Sequence, residues 1–486
     1  MTLDQRTTLL QDGDPAPGAR YVLYWMQMFK RATNNHALNF AIHLANEREL
    51  PLVVYEGLKY YYPWASDRIH SFILEGVEEK RAEFARQGIR YVFYLQRNGA
   101  DPHDTVARLA REAAALVTDD YPCFIIPEHN RRICQQVSVP VYAVDANGVI
   151  PLSVFTKEEF AARTIRPKIN RVLGQYLVPV PQMKVRFPAA GLDVECPDTM
   201  VTVEIISALL AECDIDHSVG RSPLYRGGTK AGRARLRYFV DRILPYYDKS
   251  RNEPSVDGTS RLSAYLHFGF LSANEIALAV RDAEVSEPSK HAYLEELIVR
   301  RELSFNLTRF NPQYDSLEAL PAWAQTTMRE HREDERTLIE PKKIEAAETY
   351  DEIWNATQRE LLYTGELHNY VRMLWGKKLM EWCPTYEQSF TLMEHLNNKY
   401  ALDGRDPNSY AGILWCFGKH DRAWGPQRPV FGKLRYMASH SMARKIDAKK
   451  YIAWTEQLMT DPQPLPPPGP VEAGTGDRFS TINAAV

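Results

Sequence analysis

Five short runs of β-branched, aliphatic and aromatic residues, set apart by segments of helical period, constrain this chain more than any other feature. They are Tyr21–Met26 (YVLYWM), Leu50–Tyr55 (LPLVVY), Arg90–Leu95 (RYVFYL), Leu116–Asp119 (LVTD) and Val139–Val144 (VPVYAV). Between them, Asn34–Arg48, His70–Gln87 and Asp104–Ala115 carry apolar residues at the 3.6 period of a helix. Strands that alternate with helices join through right-handed crossovers into a parallel sheet. A doubly wound, Rossmann-like α/β domain is therefore predicted near the N-terminus.

After residue 150 the pattern changes. Lys157–Leu177, Val203–Leu210, Gly228–Leu244, Ala273–Val285, Lys290–Phe310, Thr349–Leu362, Asn369–Trp382, Tyr386–Tyr400 and Ser439–Gln457 all show helical periodicity, with few strand-like runs between them. The expected fold is thus α/β followed by all-α. The domains expected are a flexible arm over 1–20, the α/β domain over 21–177, a connector over 178–225 and a helical domain over 226–460. A disordered Pro-rich tail over 461–486 completes the chain.

Composition narrows the functional classes. The 486 residues are 44% hydrophobic and 25% charged, which suits a soluble globular protein. With 59 basic against 62 acidic residues, a wholly basic nucleic-acid coat is excluded, though a local basic face is not. No apolar run is long enough for a membrane span and no signal-peptide core precedes the first strand, so a cytoplasmic protein with no membrane partner is expected, nucleoid-associated if prokaryotic. The six cysteines have no zinc or iron–sulfur spacing; no metal site and reduced thiols are expected.

No glycine-rich phosphate fingerprint follows any predicted strand, so nothing in the α/β domain announces a nucleotide. The helical half is richer. Hydroxyl residues in Thr259-Ser260-Arg261-Leu262-Ser263 precede a helical stretch and offer donors to an anion, or simply cap helices. Glu295-Glu296-Leu297-Ile298-Val299-Arg300-Arg301-Glu302 sets five charges around an apolar triplet, either as a salt-bridged helix or with a carboxylate held for use. Trp354, Trp375 and Trp382 form a series in which the last two lie two turns apart on one helix face, about 10 Å along the axis. Such indoles fit a core or an electron-hopping path. The loop from Asp403 to Gly412 gathers carboxylates, amides and a guanidinium. Residues 410–455 hold nine Lys or Arg against Asp421 and Asp447, interleaved with Trp415, Trp424 and Tyr436, a pattern suited to phosphates and bases.

Taken together, these segments resemble the photolyase/cryptochrome family, and within it the class II cyclobutane pyrimidine dimer photolyases. The likeness runs from about Tyr21 to Ile452. It is carried by YWMQ at 24–27, AARTIRPKI at 161–169, SRLSAYLHFG at 260–269 and EELIVRRELS at 295–304. WNATQRELLYTGELHNYVRMLW at 354–375, LDGRDPNSYAGILW at 402–415, HDRAWG at 420–425 and GKLRYM at 432–437 extend it. Two segments depart: Met28-Phe29-Lys30-Arg31-Ala32-Thr33 replaces the family's Arg-Asp-x-Arg-like run, and Tyr350-Asp351-Glu352-Ile353-Trp354-Asn355-Ala356 stands where DPLWNA is common.

The resemblance implies a deoxyribodipyrimidine photo-lyase, a carbon–carbon lyase in which photoexcited FADH⁻ passes an electron to a flipped-out dimer. It implies an antenna role for the sheet domain, with room for a chromophore such as a deazaflavin. The helical domain would bind FAD through Tyr247, Thr259, Ser260, Leu262, Ser263, Arg372, Asn397, Asp403 and Asn408, with the Gly227-Gly228-Thr229 turn near the phosphates. Trp354, Trp375 and Trp382 would carry electrons to the flavin. Glu296, Asn369, Met373 and Trp415 would engage the lesion, and Arg422, Trp424, Lys433 and Arg435 the DNA. The implied partner is double-stranded DNA containing pyrimidine dimers, bound by a monomer. A cryptochrome-like flavin photoreceptor without repair activity is the alternative.

Overall fold

The computed structural model describes residues 3–468. Its sheet has six strands: β1 (Thr7–Gln11), β2 (Tyr21–Trp25), β3 (Leu52–Leu58), β4 (Arg90–Leu95), β5 (Ala113–Asp119) and β6 (Val141–Val144). The order is β1-β6-β5-β2-β3-β4, with β2 to β6 parallel and β1 antiparallel on the β6 edge. Every residue of β2 and β5 is buried, as expected of strands covered by helices on both faces. The chain leaves β2 toward β3 and β4 on one side and returns to β5 and β6 on the other. The carboxyl ends of β2 and β5 therefore flank the topological switch point.

Four sequence expectations need correction. Residues 7–11 are not part of a loose arm: TTLLQ pairs with β6, and an edge strand with an exposed middle lacks the apolar signature of a buried one. Ala113–Ala115 belong to β5, not to a helix, because burial in the sheet overrides alanine's helix propensity. The segment read as one helix over His70–Gln87 is two, Asp67–Leu74 and Val77–Arg86. They part at Gly76, where a Cβ would meet the Phe270 ring at 2.5 Å and Gly228 Cα at 3.1 Å. Finally, the start of the Pro-rich tail is packed: Leu465 is buried, the Trp454 indole N–H donates to Gln463 O at 2.9 Å, and Asp257 N donates to Pro466 O at 2.9 Å. The rest of that tail lies outside the described residues.

The second half is helical, and its long helices are capped by side chains. Asp351 accepts from Trp354 N to start Glu352–Thr364, Thr385 accepts from Gln388 N to start Tyr386–Tyr400, and Asp406 accepts from Asn408 N to start Pro407–Cys416. Gly365 at φ 81° ends the first of these. Among the described residues, no helix is long and apolar enough to cross a membrane, and no group of three or more His, Cys, Asp or Glu is placed to hold a metal. All six cysteines are free.

The two halves share one apolar core that runs from β2 and β3 to Phe239, Leu297 and Leu303. Buried polar groups fix the docking. Within the sheet half, Asp119, at the end of β5, accepts from the Tyr24 hydroxyl and from the N–H groups of Gln27, Met28 and Phe29 at 2.6–3.0 Å and so fixes the segment that meets the helical half. Arg31, in the segment that departs from the family pattern, reaches across to Gly269 O at 3.0 Å. The Tyr121 hydroxyl donates to Asp406 at 2.9 Å, and Glu302 accepts from Ile150 N at 3.1 Å.

Candidate active site

The helix Asn369–Trp382 carries the centre of the site. Arg372 donates to the Asn397 side-chain oxygen at 3.1 Å and to Leu367 O at 3.1 Å, and its guanidinium lies 3.6 Å from Asp403. Arg372, Asn397 and Asp403 are thus brought together from two helices and a loop. The neighbouring Asn398 anchors that loop by accepting from Arg405 N at 2.8 Å. Two buried polar atoms here have no partner, Asp403 Oδ1 and Asn398 Nδ2. One accepts and the other donates. Leaving such atoms unsatisfied is costly, and a planar ring with a mixed edge of N–H and C=O groups, as in a flavin, would satisfy both. The loop expected over Asp403–Gly412 turns helical at Pro407, and Asn408, in the first turn of that helix, is exposed and spends its amide N–H on Asp406.

The hydroxyl loop is held by a lattice of arginines and carboxylates that sequence reasoning missed. Arg235 and Arg261 both grip Asp257, at 2.8 and 2.6 Å, and Arg261 also reaches Glu366 at 2.5 Å. Arg235 further binds the carbonyls of Thr259 and Ser260 at 2.9 and 2.8 Å. These bonds hold Arg261 at φ 52°, a left-handed conformation that costs about 1 kcal/mol. Leu262 is buried while Ser263 points out. The helix that Ser263 opens, Ser263–His267, is only five residues long, so the hydroxyls and not a helix dipole would meet an anion. In the Gly227-Gly228-Thr229 turn, Gly227 N donates to Glu75 at 2.6 Å and Thr229 N to Glu79, so those two amides are already taken by carboxylates.

Glu296 lies in a wide helical turn, Glu295–Arg300, that leads into the helix Arg301–Phe310. Such single-turn widenings often occur at functional sites. Its carboxylate is 37% exposed and pairs with Arg251 at 3.1 Å. Tyr247 is nearby, packed edge-on against Phe239 and Tyr293; burial first, and the Glu296 charge second, push its phenol up to about 12. Four residues beyond Glu296, the Arg300 guanidinium lies 5.6 Å from the centre of the half-buried Trp415 ring, and His420 meets that ring edge-on at 5.9 Å. Trp415 rides on Pro407–Cys416, which packs against both Arg301–Phe310 and Asn369–Trp382. Asn369 is exposed at the start of the latter helix, and Met373 is half-buried one turn on.

The three indoles form a line whose order the sequence did not reveal. Trp354, from another helix, sits between the two that share one: it stacks parallel to Trp375 at 6.5 Å and edge-on to Trp382 at 5.0 Å. All three are buried. The Trp354 N–H donates to Trp375 O at 2.9 Å and the Trp375 N–H to Gln358 at 2.8 Å. Each ring is therefore fixed in angle as well as place.

On the basic face, Trp424 is clasped by two guanidinium groups, Arg422 at 4.5 Å and Arg435 at 4.2 Å from the ring centre. Asp421 orients the cluster by accepting from the Trp424 indole at 3.2 Å and pairing with Arg435 at 3.1 Å. Arg422 and Lys433 are exposed.

A separate cavity of about 620 Å³ opens at the switch point of the sheet, although no glycine fingerprint marks it. Lys30, Lys59, Gln96, His129 and Arg132 line it on the sheet side, and Phe268 and Arg405 on the helical side. Burial pulls His129 down to about 4, so its ring is neutral and stacks on Trp25.

Comparison with known proteins agrees with this architecture. Residues 22–185 match the family model for DNA photolyase. The chain is 36% identical to the deoxyribodipyrimidine photo-lyase of Methanothermobacter thermautotrophicus over 94% of its length and 99% of that protein. It is 34% identical to the Arabidopsis thaliana enzyme of the same name, over 90% of this chain and 89% of that one. An archaeal photolyase structure from Sulfolobus tokodaii superposes with a TM-score of 0.60 at 20% identity, covering 92% and 96% of the two chains. With the sheet, the helical half and near full-length similarity in agreement, the chain belongs to the DNA photolyase family.

Proposed function

We propose that this chain is a light-driven lyase of the class II type that splits cyclobutane pyrimidine dimers in double-stranded DNA, acting as a monomer with FAD in its helical half. The observation that carries this reading is the gathering of Arg372, Asn397 and Asp403 around the unpartnered Asp403 Oδ1 and Asn398 Nδ2, on and beside the packed helices that bear Met373 and Trp415. When bound and reduced, FAD supplies light absorption and the electron for scission of the carbon–carbon bonds.

The protein's part is positioning. Arg372 keeps a positive charge beside Asp403 and steers the Asn397 oxygen, so the flavin edge meets fixed donors and acceptors. Thr259, Ser260 and Ser263 offer hydroxyls to the phosphates from a stretch clamped by Arg235 and Arg261, and the buried Leu262 anchors it in the core. Arg251 holds the Glu296 carboxyl group at the mouth of the site, where it hydrogen-bonds the dimer. Arg300 and His420 brace the Trp415 indole for stacking on a base taken out of the duplex, a step that damage makes cheaper. Arg422, Trp424, Lys433 and Arg435 track the phosphates and fill the gap. Trp354, Trp375 and Trp382 bring electrons inward when the flavin has become oxidised. The cavity beside Lys59 and His129 suits a second, light-harvesting chromophore, a deazaflavin or another flavin. The Sulfolobus tokodaii photolyase was solved with two FAD molecules and a novel light-harvesting cofactor is implied for it.

The test is illumination of the reduced holoprotein with a thymine-dimer oligonucleotide. Dimers should disappear in blue light and persist in the dark. Flavin photochemistry with dimers untouched would overturn the repair reading in favour of a photoreceptor.

A further inference from the structure

We infer that Tyr350 is the surface outlet of the tryptophan relay. This rests on the reading above in which the helical half binds a flavin served by the three indoles. Trp382, the outermost of them, is buried to 0% exposure. It therefore has no direct path to water, and a charge that arrives there has to move on or return. Its indole N–H has one destination, the Tyr350 hydroxyl oxygen at 2.9 Å. The two rings meet edge-on with centres 5.7 Å apart, close to the 5.0 Å step between Trp354 and Trp382. Tyr350 itself is 64% exposed, so its ring continues the line of indoles into solvent.

The hydrogen-bond direction decides the chemistry. Because Trp382 donates to the phenol oxygen, the phenol's own hydrogen is free to face water. The Lys378 ammonium lies 5.3 Å from the Trp382 ring centre and 5.9 Å from that of Tyr350. Glu381 and Asp351 answer its charge, so a hole on the indole rests there as a positive charge unless a neighbour gives up a proton with its electron. A phenol that sheds its proton carries no such charge.

The step balances as follows. The oxidant is a photoexcited, oxidised flavin, which takes one electron from Trp375. Trp354 refills Trp375, and Trp382 refills Trp354. Tyr350 then gives one electron to Trp382, which returns to neutral indole. The Tyr350 O–H bond breaks, its proton goes to bulk water, and a neutral phenoxyl radical remains at the surface. A thiol in solution restores it with one electron and one proton.

The experiment is flash spectroscopy of the holoprotein with oxidised FAD, wild type against Tyr350→Phe, which keeps the ring and removes the acidic hydrogen. Wild type should show the narrow near-ultraviolet band of a phenoxyl radical, and ring-deuterated tyrosine should sharpen its paramagnetic resonance signal. The variant should show only the broad visible band of an indole radical, with a lifetime and a steady photoreduction yield several-fold lower. A merely structural role for Tyr350 would not change the identity of the radical. Indole signals alone in wild type, or the same radical and lifetime in both proteins, would overturn the assignment of Tyr350 while leaving the flavin reading intact. A protein that retains no flavin, or full photoreduction in Trp375→Phe, would overturn the relay itself and Tyr350 with it.

Discussion

The two ligand-sized places in this molecule are built on opposite principles. The cavity in the sheet half follows from topology: strands diverge at the switch point and leave about 620 Å³ walled by strand ends, helices and the loops between them. The site in the helical half follows from particular side chains, each held by another: Asn397 by Arg372, the hydroxyl loop by Arg235 and Arg261, Glu296 by Arg251. A space made by topology tolerates different occupants, whereas one made by a lattice of buried charges accepts a single shape. The difference fits the clustering of long sequence motifs in the helical half.

The seam between the two regions yields the largest expected effect. Glu302 is buried there, and burial, opposed by Arg301 and the Ile150 N–H, raises its carboxyl group from an ordinary 4.5 to about 7. The folded protein thus keeps a proton that the unfolded chain loses. This group's contribution to stability is therefore fully present below pH 4.5 and is lost as pH rises through about 7. Glu302→Gln, which still accepts from Ile150, should remove that fall and gain up to about 3 kcal/mol above neutral pH, with little change in acid. Denaturant titrations across pH check this; equal pH dependence in both proteins would mean that the halves are not joined through a protonated carboxyl.

Within the helical half, Arg372→Ala leaves Asp403 without its counter-charge. Flavin retained per chain after gel filtration should drop about tenfold or more, while any chromophore in the sheet cavity stays. Loss of both together would break the distinction between the two places. On the basic face, Trp424→Ala removes the ring that Arg422 and Arg435 clasp. Affinity should weaken by about 1–2 kcal/mol for damaged and undamaged duplex alike. Arg422→Ala should lower the salt dependence of binding by about one unit of slope and do little else. The smallest change is expected from Ala107→Trp, which fills part of the sheet cavity. It should displace a light-harvesting chromophore and leave the FAD spectrum unchanged.

What could be read from the chain divides along the same line. The buried strands were legible because both faces are covered and their apolar runs are unbroken. β1 was not, since TTLLQ lies on an edge with its middle exposed. The break at Gly76 depends on Phe270, almost two hundred residues away, and no local signal carries that. In the site, types and spacings pointed to the hydroxyl loop, the indoles and the Asp403 loop. The order of the indoles did not follow from spacing, because Trp354 inserts between two residues of a different helix. Nor did the capture of the Gly227 amide by Glu75, which is a contact between the halves. Tyr350 was visible only as part of a departure from the family pattern; its role emerges from one hydrogen bond and its exposure.

The most direct test of the central claim is a crystal structure of the chain with FAD and a thymine-dimer oligonucleotide. The account predicts a flavin against Arg372, Asn397 and Asp403, with Asp403 Oδ1 and Asn398 Nδ2 both satisfied and the dimer between Glu296 and Trp415. Flavin confined to the sheet cavity, with Asp403 closed onto its neighbours and no dimer near Glu296, would contradict it.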